Sequence, residues 1–355
     1  MNMKKIIITG VTGQDGSYMV DFLLKNTEHN IIGIRRRSSN PNLKNIQHNL
    51  DNPRFKMIIA DLSDSNSIDE IVKDIQPDYF FNFAAQSFVG SSWQIPLQTF
   101  DATALGVLRC LEAVRKYAPN CRFYSAGSSE EMGDVIYSPQ DLKHPIRPRS
   151  PYGAAKAAAR HITKVYRDSY NLYAIHSILY NHESERRGEE FVTRKITNGV
   201  AKINYCIKNK LPFEPINLGN LDSKRDWSHA EDFVEGVWMM MNQNEPKEYI
   251  LSSNETHSVR EFVEKSFKFA GINEFNWVGE KENECLVLPD YLIEEGNVQS
   301  KVLVKINPKF YRPAEVDLLL GDSSEVRNEL KWQPKNSFDN LVQRMVKFDI
   351  ENYKP

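Results

Sequence analysis

Through the first half of the chain, short apolar runs rich in β-branched residues alternate with stretches whose apolar positions recur every three or four residues. Lys4-Lys5-Ile6-Ile7-Ile8-Thr9 is apolar on both faces and predicts a buried strand. Tyr18, Met19, Phe22 and Leu23 then share one face of a helix over 17–26. The same reading predicts strands over 30–34, 55–60, 79–84, 122–126 and 173–179, and helices over 67–75, 97–117 and 151–170. Strands separated by helices need crossover connections, so the pattern predicts a doubly wound α/β fold with a parallel sheet covered on both faces. After about residue 180 strands become sparse and polar stretches intervene at 181–190 and 220–229, with amphipathic helices over 259–270 and 338–351. The chain thus divides into a sheet domain, 1–180, and a smaller lobe, 181–355, with room for some later segments to return to the sheet.

The 355 residues suffice for a sizeable core in one or two domains. Lys+Arg number 45 against 47 Asp+Glu, a formal net charge of −2, which argues against a partner bound through nucleic-acid phosphates. No run approaches the ~18 apolar residues of a membrane span, and the first nine residues lack the apolar core and cleavage site of a signal peptide. Cys110, Cys121, Cys206 and Cys285 are far apart with no CxxC pair, which predicts free thiols, no metal site and a reducing, cytoplasmic setting. No internal repeat is present.

Gly10-Val11-Thr12-Gly13-Gln14-Asp15-Gly16 stands between the first strand and the first helix with GxxGxxG spacing. Glycines there allow a tight turn and let backbone N–H groups approach a pyrophosphate at the helix N-terminus, so Gly10, Thr12, Gly13, Gln14, Asp15 and Gly16 are candidate dinucleotide contacts and 1–180 reads as a Rossmann domain. A ligand-free tight turn is the bland alternative. An acidic residue after the second strand would suit the NAD ribose; Arg35-Arg36-Arg37 stands there instead, and Arg35 favours NADP over NAD. Asp61 and Leu62, and Ala85, Gln86 and Ser87, follow later strands and are placed to line the same cofactor.

Ser150-Pro151-Tyr152-Gly153-Ala154-Ala155-Lys156 opens a helix with a capping serine and a proline at the first helical position. Tyr152 and Lys156 are i and i+4 on one face, where an ammonium is expected to lower the phenol pKa and make Tyr152 a base. The fifth strand ends in Gly127-Ser128-Ser129-Glu130-Glu131-Met132, which offers Glu130 as a second acid/base, with Glu131 as its rival.

These motifs resemble extended short-chain dehydrogenases/reductases, and most closely the GDP-mannose 4,6-dehydratase family. The likeness runs nearly end to end, through Asp61-Leu62-Ser63-Asp64, Ala85-Gln86-Ser87, Arg147-Pro148-Arg149-Ser150-Pro151-Tyr152, Tyr180-Asn181-His182-Glu183-Ser184, Phe191-Val192-Thr193-Arg194-Lys195, Leu218-Gly219-Asn220, Arg225-Asp226-Trp227 and Tyr311-Arg312-Pro313-Ala314-Glu315-Val316. The resemblance implies catalytic roles for Ser128, Glu130, Tyr152 and Lys156. It implies cofactor contacts by His182 and Arg187, a GDP site at Asn181, Val192, Lys195, Leu218, Arg225, Arg312 and Glu315, and a homotetramer. The implied reaction is a lyase cycle: Tyr152 takes the C4 hydroxyl proton as hydride leaves C4, Glu130 removes the C5 proton and helps expel the C6 hydroxyl, and hydride returns to C6.

The chain departs from the family pattern at several positions. Ser128 replaces a threonine, Phe88 a histidine, Gln98 a tyrosine, Glu131-Met132 a leucine-tyrosine pair and Glu185 a proline. Ser128, Phe88 and Met132 are expected on the hexose side, which opens a GDP-manno-heptose as substrate beside GDP-mannose. A C4 epimerase or C4 dehydrogenase, which would need Tyr152 and Lys156 but not Glu130, is the runner-up; a non-catalytic nucleotide-sugar sensor would need no acid/base set.

Overall fold

A computed structural model describes residues 3–294, 300–310, 316 and 318–355. Six strands come from the first half of the chain: β1 (Lys5–Thr9), β2 (Asn30–Arg35), β3 (Phe55–Ile59), β4 (Tyr79–Asn82), β5 (Arg122–Ala126) and β6 (Ala174–Leu179). Four short strands follow outside this sheet, β7 (Asn181–Glu183), β8 (Ile216–Leu218), β9 (Lys224–Arg225) and β10 (Trp227–His229), before β11 (Ile250–Leu251) rejoins it beside β6. The resulting seven-stranded parallel sheet has the order β11-β6-β5-β4-β1-β2-β3. Its strand order reverses between β1 and β4, the point at whose carboxyl end doubly wound sheets bind ligands.

The apolar run of β1 explains its central place. Ile6 and Ile8 point into one core with Met19, Leu23, Phe233 and Met240, whereas Ile7 points into the opposite core with Val107, Leu111 and Ala159. The first core lies under α1 (Gln14–Asn26), the second under α2 (Ser65–Ile75). Past α3 (Val89–Ser92) and α4 (Pro96–Phe100), a π-helical turn, Asp101–Leu105, leads into α5 (Gly106–Tyr117). The predicted uninterrupted helix over 97–117 is therefore three successive helical pieces. α6 (Pro151–Tyr170) has the predicted bounds, because Ser150 accepts the Gly153 N–H and Asn171 ends the helix in a left-handed conformation.

The second half holds more strand than its pattern predicted. A mixed sheet of order β13-β14-β15-β8 joins β8 to β13 (Asn276–Val278), β14 (Cys285–Val287) and β15 (Val302–Ile306); β12 (His257–Ser258) and β16 (Leu318–Leu319) flank β9. All of these but the five-residue β15 have two or three residues, too short to leave a period-two signature. α7 (Val192–Lys208), α9 (Val259–Phe269) and α12 (Phe338–Asn352) bury Ile196, Val200, Phe262, Phe267, Leu341 and Met345 in a core of their own. α8 (Ala230–Met241) instead contributes Phe233, Val237 and Met240 to the sheet core, and α10 (Asp290–Glu294) and α11 (Ser324–Leu330) are short. Among the described residues no helix is long and apolar enough to cross a membrane.

Candidate active site

The glycine-rich turn is made by steric demand. Gly10 has φ +66°, and a Cβ there would lie 2.9 Å from the Ala84 backbone nitrogen. A Cβ on Gly16 would lie 2.4 Å from the Gly10 carbonyl oxygen, so only glycine lets α1 start so close to the end of β1. α1 begins at Gln14, earlier than predicted, with Gly13 as a cap that offers no side chain to its first N–H groups. Thr12 gives its carbonyl to Asn45 at 3.2 Å. Arg35 ends β2 half-buried with an Nε that finds no partner, and Arg36 and Arg37 are exposed. Asp61 is exposed and accepts from Ser63, while Leu62 is buried. Ala85 and Gln86 are half-buried and Ser87 exposed; Gln86 donates to the Phe88 carbonyl but leaves Oε1 buried and unpartnered.

The first turn of α1 is fastened to β7. Asp15 accepts from His182 Nε2 at 2.9 Å, and His182 Nδ1 lies 2.7 Å from the Tyr180 carbonyl, so both ring nitrogens donate and the ring is an imidazolium. Burial favours a neutral Asp15, but His182 beside it overrides burial and holds the carboxyl at about 2. Burial likewise opposes the His182 charge, and Asp15 overrides it to raise the imidazole above its ordinary value. Gln14 donates to the His182 carbonyl at 3.0 Å and accepts from Ser184 at 2.7 Å, so its side chain is spent on this joint. Arg187 pairs with Glu183 at 3.1 Å and lies 3.7 Å over the Phe191 ring, and its positive charge favours the ionised forms of both Asp15 and Tyr152.

At the carboxyl end of β5, Ser128 caps a short 3-10 turn, Ser129–Glu131. Its Oγ accepts the Glu130 N–H at 3.2 Å, and its own N–H donates to Glu131 at 2.8 Å, a reciprocal capping box. Glu131 is fully buried and also accepts from His176 at 2.9 Å. Burial would raise its carboxyl, but His176 and the Ser128 N–H hold it below the usual range. Glu131 is thus committed to structure. Glu130, 9% exposed, lies close enough to push the Tyr152 phenol upward. The Ser128-x-x-Glu131 spacing is a capping-box signature legible in the sequence, and it distinguishes the two glutamates where their adjacency does not.

The expected lowering of Tyr152 by Lys156 is corrected by the structure. Burial drives the phenol above its ordinary value, opposed by a hydrogen bond with Ser128 and by Arg187. Lys156 Nζ donates to the Ala126 carbonyl at 2.5 Å and sits 5.8 Å from the centre of the Tyr152 ring; burial brings it down to about 8. Met132 also departs from expectation. It is fully buried among Ile178, Tyr180 and Leu319, so its side chain is not open to solvent. Phe88 packs edge-on to Phe191 at 5.5 Å, and Gln98 is exposed on α4.

Of the second-lobe candidates, Asn181 keeps a buried Oδ1 without a partner. Val192 is exposed at the start of α7. Lys195 lines a cleft of about 350 Å³ with Lys202, Glu214, Asn217 and Phe310, its Nζ 3.2 Å over the Phe310 ring, and burial lowers it to about 8. Arg225 is buried in β9. Leu218 turns its side chain into the α7–α9–α12 core, which leaves only its backbone for a ligand. Arg312 and Glu315 lie outside the described residues. His176, Glu183, Phe191 and Phe310 complete these surroundings without having stood out as candidates.

A dinucleotide fits the first of these sites: α1 presents uncapped N–H groups, and the polar atoms of Gln86 and Arg35 await partners. Fold and cluster together define an extended short-chain dehydrogenase/reductase. Solved structures of that fold include a dTDP-glucose 4,6-dehydratase from Bacillus anthracis in complex with NAD, 21% identical, with a TM-score of 0.77 over 99% of this chain and 97% of that one. Another is a UDP-glucuronic acid 4-epimerase from Bacillus cereus, 18% identical, with a TM-score of 0.79 over 98% and 100%.

Within that class, residues 7–345 match the GDP-mannose 4,6 dehydratase family, to which the chain belongs. The Drosophila melanogaster GDP-mannose 4,6 dehydratase is 46% identical over 98% of this chain and 86% of its own, and the Homo sapiens protein of that name 43% over 97% and 91%. The Yersinia enterocolitica GDP-mannose 4,6-dehydratase is 42% identical over 99% and 95%. The chain is an enzyme of the hydro-lyase class.

Proposed function

We propose that this enzyme converts GDP-mannose to a GDP-4-keto-6-deoxy sugar with NADP bound along the Gly10–Gly16 turn. The observation that carries the reading is the meeting of Ser128, Glu130, Tyr152 and Lys156 at the end of β5 while Glu131 is buried in a capping box. When bound, the nicotinamide would supply the acceptor for hydride from C4 and the donor of hydride to C6. Tyr152 Oη receives the C4 hydroxyl proton, with Ser128 holding the phenol. Burial favours the neutral phenol, so Tyr152 must release its own proton to solvent and stand as a phenolate beside Lys156 before it receives the C4 hydroxyl proton. Glu130 removes the C5 proton that a C4 ketone acidifies and passes it to the departing C6 hydroxyl, and the proton taken by Tyr152 is returned to C5 as hydride reaches C6. An epimerase needs no such second carboxylate.

Asp15, His182 and Arg187 support the cofactor side, and Arg35 at the end of β2 favours the extra phosphate of NADP over NAD. Lys195 and Arg225 supply cations for the GDP phosphates, joined by Asn181, Val192 and the Leu218 backbone, and by Arg312 and Glu315 through the family likeness. A homotetramer is part of the reading. Trp93, Ile95, Leu97 and Phe100 are all exposed on and around α4, a surface that a second copy would cover. The cytoplasm is the proposed setting, since all four cysteines are free thiols.

Incubation with GDP-mannose, followed by mass and NMR analysis of the product, tests the function. Loss of one water with retained bound cofactor and no accumulation of reduced nicotinamide is expected. A C4 epimer, or stoichiometric reduced nicotinamide, would replace the reading with epimerase or dehydrogenase. The ratio of kcat/KM for GDP-mannose and GDP-manno-heptose decides whether Ser128 and Phe88 widen the hexose site, since one methyl in a pocket shifts preference by roughly 1–3 kcal/mol.

A further inference from the structure

The short loop after β7 is fixed by consecutive side chains reaching in different directions. Ser184 holds Gln14. Arg186 donates to Ser17 at 3.1 Å and Asp21 at 2.6 Å, with its guanidinium 4.0 Å over the Tyr18 ring. Arg187 pairs with Glu183 at 3.1 Å and lies 3.7 Å over the Phe191 ring, near enough for its charge to act on Asp15 and Tyr152. Between them Glu185, its side chain 13% exposed, binds three separate elements. Oε2 accepts from Tyr18 Oη of α1 at 3.0 Å and from His229 Nε2, at the cap of α8, at 3.2 Å. Oε1 accepts from Arg344 Nε of α12 at 2.9 Å.

We infer that Glu185 is a positioning residue for the cofactor cleft: its carboxylate ties α1, the α8 cap and α12 to one loop and so fixes where the neighbouring Arg187 guanidinium stands. The groups facing it are all named by the contacts. Arg344 is shared with Glu231, at 3.0 and 3.2 Å. His229 Nδ1 accepts the Glu231 N–H at 3.1 Å, so the ring donates to Glu185 through Nε2 alone. A buried carboxylate needs its counter-charge and donors filled, and here Arg344, Tyr18 and His229 fill them. Glu185 itself need touch neither sugar nor nicotinamide; it acts through Arg187 and Tyr18.

The inference rests on the proposed cofactor reading, and calorimetry of the full chain with NADP⁺ and, separately, with GDP keeps the two apart. Failure of the unaltered protein to bind NADP⁺ or NAD⁺ would overturn the cofactor reading itself. Given binding, Glu185→Gln is expected to weaken NADP⁺ by 10-fold or more while the Kd for GDP changes less than 2-fold. Arg344→Gln should do the same, and the double variant should lose no more than either alone. Arg344→Lys, which keeps the charge, should recover part of the loss. Unchanged NADP⁺ affinity in Glu185→Gln would overturn the inference, as would equal weakening of both ligands with a lowered Tm, the mark of a merely structural residue. Should Glu185→Gln not fold, Glu185→Asp is read by the same pair of affinities.

Discussion

Two adjacent glutamates on one turn do opposite work because of what each one's neighbours demand. Glu131 answers the Ser128 N–H and the His176 ring inside the core, so Glu131→Gln loses a charge-assisted pair and costs stability, of order 1–3 kcal/mol. Glu130 has the Tyr152 phenol in its field. Glu130→Gln should keep NADP⁺ binding and lose water elimination by about 10²-fold or more. Single-turnover product analysis checks it; retained dehydration in Glu130→Gln would shift the C5 proton to another group. Asp15 and His182 give a stability test at the same scale. Asp15 is lowered to about 2, so its contribution is present above its unfolded pKa and fades as pH falls toward 2. His182 is raised, so its contribution is full below the unfolded value of 6.5 and is lost as pH rises through the higher folded one. The pair is therefore strongest near pH 6, where Asp15→Asn should cost roughly 2 kcal/mol, and the penalty should shrink by pH 9. Urea unfolding at the two pH values measures both; a penalty independent of pH would mean that packing, not the ion pair, holds the joint.

At the scale of elements, what could be read in the sequence follows from how periodicity arises. β1 and β4 are apolar on both faces because both faces are buried, and the GxxGxxG turn shows itself because Gly10 and Gly16 have no alternative. The sheet of β13, β14, β15 and β8 is hard to read in the sequence, since three of its strands have only three residues and β8 lies far along the chain from the other three. The Glu185 tie was illegible for a similar reason: Tyr18 and Arg344 are 167 and 159 positions away. The glycine turn makes the sharpest prediction here. A methyl at Gly16 would meet backbone, not a flexible side chain, so α1 or the turn must move. Gly16→Ala should cost about 1–3 kcal/mol of stability, the usual range for overpacking. NADP⁺ affinity should fall at least 10-fold while GDP binding persists. Equal NADP⁺ affinity in Gly16→Ala, measured by calorimetry, would show that the turn tolerates displacement without harm to the site.

For the whole molecule, the sheet and the second lobe are knit by elements that cross between them: β11 and α8 return to the sheet from beyond residue 180, while α12 joins the lobe core and reaches Glu185 through Arg344. Among the described residues, exposed apolar side chains gather around α4. Leu97 is 86% exposed, and Trp93, Ile95 and Phe100 around it are each exposed by more than a third, an apolar concentration that isolated monomers seldom carry. α4 packs against α6, the helix of Tyr152 and Lys156, so a copy seated on this surface would lie one helix away from those side chains. Charge placed at the centre of such an interface opposes association, because its desolvation is not repaid. The unaltered enzyme should scatter light as an oligomer at micromolar concentration, and Leu97→Glu should shift it toward smaller species. NADP⁺ should still bind the smaller species, since the glycine turn is built from one chain. A unaltered protein that is already monomeric, or a Leu97→Glu variant of the same mass, would assign the exposed apolar side chains around α4 to something other than self-association.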